Sequence, residues 1–159
     1  MITPEQIENQ NPNDVACLLV PMQGRILLLP SVSVAEMVPF TSVAPVQDSP
    51  RWLLGNYHWR ERSLPLISFE EINGDRRPDL QSQCRVAVLN HTGLSEKLPF
   101  LAIMTQGIPR ITRVSENEVQ PLKDAEPRPY ELMLASLDGE EVIIPNIAAL
   151  EQAWLDLHL

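Results

Sequence analysis

Fifteen prolines against only six glycines limit what this chain of 159 residues can fold into more than any other feature does. Proline fixes φ and has no backbone N–H, so it ends or kinks helices and interrupts sheet ladders. Scattered along a chain, it leaves room for short strands and firm turns rather than long helices. The apolar segments are correspondingly short. The longest, Val15–Met22, is far below the ~20 residues that a membrane-spanning helix requires. A hydrophobic fraction of 44% still supports a packed core, and this length suits one domain.

Residues 1–13 are polar and read as a flexible N-terminal tail before a domain spanning 14–159. No charged-then-apolar secretory signal is present, so a cytoplasmic setting is expected. Val15–Pro21 and Arg25–Pro30 read as strands of a hairpin turning at Gln23-Gly24. Both are apolar at nearly every position, which predicts burial on two faces. A further strand over Val32–Val38 carries Glu36 as its only charge, with Val34 and Val38 on the same face by the two-residue period. A carboxylate there suits an edge strand kept from aggregating.

The segment Pro50–Phe69, PRWLLGNYHWRERSLPLISF, is the densest in information. It reads as a knuckle over Arg51–Leu54, a break at Gly55, and strands over Asn56–Arg60 and Ser63–Phe69. Alternation sends Tyr57 and Trp59 one way, His58 and Arg60 the other. Trp52 and Trp59 are expected to stabilise the first barrel. Pro65 lacks a ladder donor, so its strand is expected at an edge or a bulge.

The second half repeats this grammar. Strands are expected over Cys84–Asn90, Leu98–Met104, Ile108–Val114, Val119–Leu122 and Tyr130–Leu137. Asp138-Gly139 signals a type I′ turn into Glu141–Ile144. Asn146 then caps a closing helix whose buried stripe is Ile147, Leu150, Trp154 and Leu157.

Chemistry finds few handholds. A net charge of −9 with no basic block disfavours nucleic acid. Cys17 and Cys84 lie in apolar runs as small buried hydrophobes. His58, His91 and His158 belong to no metal-ligand spacing, and no phosphate-binding loop or nucleophile elbow occurs. No cofactor, no metal and no enzymatic activity are expected. Glu70-Glu71 and Glu140-Glu141 are sequence neighbours that would face opposite ways in a strand.

The order Gly55, Arg60, Pro65, Leu66, Ile67 resembles the signature of CheW-like coupling domains. There a glycine, four residues, arginine-glycine, three residues and a proline-led apolar run follow at the same spacing. Two positions depart: Glu61 replaces the glycine after the arginine, and Ser68 stands where an aspartate is usual. The resemblance extends over about Asp14 to Leu157. It implies a mainly β fold, a pair of intertwined five-stranded β-barrels with short helices and a C-terminal helix. It also implies an adaptor that links the cytoplasmic tips of methyl-accepting chemoreceptors to the regulatory domain of a CheA-like histidine kinase. Val34, Glu36, Gly55 and Arg60 occupy the positions that resemble the family's partner-binding and positioning residues. The departures read as those of a divergent paralogue, in which the turn at Glu61 has changed type. Such a paralogue suits an alternative chemosensory system, such as one controlling type IV pili and twitching motility.

A plainer reading makes Arg60 an exposed arginine paired with Glu61 or Glu36. At the level of the whole chain, the alternative to an adaptor is a stand-alone β-barrel that binds a protein or small ligand outside chemosensing.

Overall fold

The structure, a computed structural model, describes residues 14–157; the tail expected over residues 1–13 lies outside them. Strands β1 (Val15–Pro21) and β2 (Ile26–Pro30) form the expected antiparallel hairpin, with Gly24 at φ +68°. A 3-10 turn leads into β3 (Val34–Pro39), followed by β4 (Leu53–Trp59) and β5 (Arg62–Ile67). Helix α1 (Phe69–Ile72) is one turn long, and β6 (Arg85–Asn90) and β7 (Phe100–Thr105) follow it. Then come β8 (Arg110–Val114), β9 (Val119–Pro121), β10 (Glu131–Leu137), β11 (Glu140–Pro145) and helix α2 (Ile147–Leu155).

Two curled sheets result. The middle of the chain builds a five-stranded sheet in the order β3-β6-β7-β5-β4, and its two ends build the other, β8-β1-β2-β11-β10-β9. The fold is thus mainly β and intertwined, as expected. The second sheet has six strands instead of five because the short β9 pairs with β10. Among the described residues, no helix is long and apolar enough to cross a membrane.

Among the described residues, three apolar clusters hold the sheets, and alternation assigns them. Leu18 and Val20 of β1 face the cluster between the sheets, alongside Ala87, Leu89, Leu101, Ile103 and Leu150. Cys17 and Leu19 face the interior of the six-stranded barrel. Val86, Val88, Ala102 and Met104 turn the opposite way, into the five-stranded barrel with Tyr57 and Trp59. Two-face burial explains why these strands are apolar throughout. Both cysteines are buried, and neither forms a disulfide.

Several local expectations need correcting. Leu53 already opens β4, so Gly55 lies inside a strand rather than at a break. Phe69 starts α1 instead of ending β5. Trp59 fills the five-stranded barrel, whereas Trp52 packs against the cluster between the sheets. β5 is an interior strand, with β4 on one side and β7 on the other. Pro65 is tolerated there for a geometric reason. Asn56, opposite it, turns both its N–H and its C=O away to Ala44, so Pro65 owes β4 no donor. On the other side, the ladder to β7 begins only at Leu66.

Helix caps follow local chemistry. Ser68 Oγ accepts the Glu71 N–H at the start of α1. Serine and aspartate are both good N-caps, so Ser68 serves this position as an aspartate could. Asn146 Oδ1 accepts the Ala149 N–H at 3.1 Å, capping α2 as expected.

Candidate partner-binding site

The edges of the five-stranded sheet, β3 and β4, are drawn together by side chains. Tyr57 Oη donates to the Pro39 carbonyl at 3.1 Å. Trp59 Nε1–H donates to Glu36 Oε2 at 3.0 Å, and Arg60 Nη2 reaches the same oxygen at 2.8 Å. The Arg60 guanidinium also lies 4.9 Å from the centre of the Trp59 ring. Glu36 is therefore an edge-strand carboxylate with two fixed donors. Of the two pairings expected for Arg60, the one with Glu36 forms.

A register shift between Val34 and Glu36 makes this possible. Val34 pairs with Leu89 and packs toward the cluster between the sheets. Beyond the bulge, Glu36 pairs with Val88, and Val38 faces the barrel interior with Trp59. The expected sharing of one face thus holds for Glu36 and Val38 but not for Val34. An added residue in one strand reverses every side chain on one side of it relative to the other.

Arg60 is not a strand residue. Arg60 and Glu61 are the two central residues of the β4–β5 hairpin, at φ +46° and +62°. Positive φ at both defines a type I′ turn. Glu61 occupies a left-handed position where glycine would be unstrained. It leaves the Arg60 pairing to Glu36.

Gly55 is buried under the segment that follows β3. Ala44 and Asn56 exchange both backbone hydrogen bonds, at 2.8 and 2.9 Å. A Cβ at Gly55, whose φ is +143°, would stand 2.3 Å from the Ala44 oxygen. Gly55 therefore permits close backbone approach and presents no side of its own to a partner. Of the four expected residues, Glu36 and Arg60 come together. Val34 and Gly55 support the surface from beneath.

Sequence reasoning missed three glutamates, buried among the described residues, that tie the sheets to one another. Glu70 accepts the Gln23 N–H of the β1–β2 turn at 3.1 Å. Glu131 takes Arg25 at 2.7 Å and the Asn73 amide at 3.3 Å. Glu151 accepts from the Thr92 N–H and hydroxyl. Only Glu151 left a trace in the sequence, since it lies at helical spacing inside the stripe of Ile147, Leu150 and Trp154. Burial pushes the Glu70 carboxyl above its usual range, opposed by the Gln23 amide and reinforced by Asp75. Among the described residues, no group of three or more histidines, cysteines or carboxylates gathers as a metal centre.

Comparison with known proteins gives a consistent result. Residues 16–153 match the model of the CheW-like domain family. Among solved structures, the scaffolding protein TtCheW from Thermoanaerobacter tengcongensis aligns with a TM-score of 0.71 at 15% sequence identity. The alignment covers 82% of this chain and 88% of that one. At that identity the likeness is one of fold. No match was found among curated protein sequences.

Proposed function

The chain belongs to the CheW-like domain family, and from that premise we propose that it is a non-enzymatic adaptor coupling chemoreceptors to a CheA-like histidine kinase. The observation that carries the reading is the Glu36–Trp59–Arg60 cluster. It presents an exposed arginine on a strained turn, backed by an aromatic ring and a carboxylate. A guanidinium has five donors in a planar fork, suited to carboxylates or to a row of carbonyls on a helical hairpin. Left alone, the Glu36–Arg60 pair is a partly exposed ion pair contributing about 0 to 1 kcal/mol. Buried under a partner, the same arginine becomes an anchor worth ~2 kcal/mol or more.

Glu36 and Arg60 make the contact, while Val34 and Gly55 set the backbone that carries them. The partners are the cytoplasmic tip of a methyl-accepting chemoreceptor and the regulatory domain of the kinase, met in the cytoplasm. We read the departure at Glu61 as that of a divergent paralogue, suited to an alternative chemosensory system such as one that drives type IV pili and twitching. Affinity capture from native extract tests this reading. Recovery of a receptor and a CheA-like kinase is the expected result, and recovery of neither contradicts it. Identification of the kinase's neighbours then separates a pilus system from a flagellar one.

A further inference from the structure

We infer that the partner surface extends past Arg60 to a second cationic cleft, at Arg62 and Lys97, which takes a carboxylate-bearing helical segment of the receptor hairpin. The inference rests on the adaptor reading and adds the chemistry of the partner's surface.

Four observations lead to it. First, the aromatic support continues beyond Trp59. Its ring meets Phe100 edge-on with centres 4.9 Å apart, and Phe100 in turn lies beneath the Arg62 guanidinium at 5.3 Å. Two arginines thus bracket an aromatic pair that spans β4, β5 and β7. A guanidinium held over a ring face by cation–π attraction still has N–H donors to offer to whatever approaches.

Second, Arg62 is uncommitted. Among the described residues, ion pairs engage Arg25, Arg60, Arg77, Arg110 and Arg128, but neither Arg62 nor Lys97. Their sequence neighbours Glu61 and Glu96 form no ion pair with them. Third, Arg62 and Lys97 line one cleft of about 230 Å³ together with Pro65, Pro99, Phe100 and Trp154. Fourth, the chain as a whole carries −9, so two unpaired cations in one cleft stand against the prevailing charge. Charge complementarity selects an acidic segment, and a helix offers carboxylates three or four residues apart along one face.

The test is titration of the purified chain with a receptor-tip hairpin, in parallel for wild type, Arg62→Glu/Lys97→Glu, Lys97→Ala and Arg76→Glu. Arg76 lies in the 73–83 loop, outside the cleft, and controls for overall charge. Circular dichroism verifies folding, and Lys97→Ala, on an exposed loop, keeps the test open if the double variant misfolds. The double variant is expected to bind roughly tenfold or more weakly, with a shallower salt dependence, and Lys97→Ala a few-fold more weakly. Arg76→Glu is expected to bind as wild type does. Cleft variants that bind as tightly as wild type, or no more weakly than Arg76→Glu, overturn this inference and leave the adaptor reading intact. A wild type that binds neither the hairpin nor the kinase regulatory domain overturns both.

Discussion

Arg60 and Glu61 both hold side chains in left-handed backbone, which costs an ordinary residue about 1 kcal/mol or more. Glu61→Gly is therefore expected to raise stability by about 1 kcal/mol in urea unfolding. A loss of stability would mean that Glu61 makes a compensating contact. Gly55→Ala is the opposite case. A methyl group 2.3 Å from the Ala44 oxygen forces two backbone segments apart, with an expected loss of ~2 to 3 kcal/mol. Thermal melts check it, and an unchanged midpoint would remove the Ala44 contact from the account. The sequence marked both positions but not their reasons. Gly55 stood out as a glycine, yet what requires it is a bridge to Ala44, eleven residues earlier, which no local pattern reveals.

At the scale of elements, α1 shows how a short helix ties the two sheets together. Its cap is local, and Ser68→Ala is expected to cost about 1 kcal/mol, while Ser68→Asp is expected to be neutral, both measured by chemical unfolding. Its burial is not local. Glu70 has a raised carboxyl, so the folded chain holds that proton more readily than the unfolded one. Stability from this group is greatest in acid and falls as pH rises from the ordinary glutamate range through the raised value. Glu70→Gln keeps an acceptor for Gln23 and carries no charge. It is expected to melt higher than wild type near pH 7, with the difference shrinking as pH falls below the ordinary glutamate range, where the Glu70 carboxyl is protonated in folded and unfolded chain alike. A difference that persists in acid would locate its cause outside this titration. Strand existence and alternation were legible because each depends on neighbours two residues apart. The bulge between Val34 and Glu36 was not, because it is a relation between β3 and β6.

For the whole molecule, the fold was legible from short apolar strands buried on both faces and from the spacing of Gly55, Arg60 and Pro65. What stayed hidden depends on how the two sheets meet: the glutamate ties, and the ladder from Arg60 through Trp59 and Phe100 to Arg62. Ties at Gln23–Glu70, Asn73–Glu131 and Thr92–Glu151 fasten one sheet to the other at separate places. The proposed adaptor role asks for a platform fixed in this way, one that holds two proteins at a set spacing. Analytical ultracentrifugation of the chain mixed with a receptor-tip hairpin and a kinase regulatory domain tests that claim most directly. The account expects a single ternary species for wild type and its loss on Arg60→Glu. Binding of the two proteins in strict alternation, or a ternary species unaffected by Arg60→Glu, would contradict it.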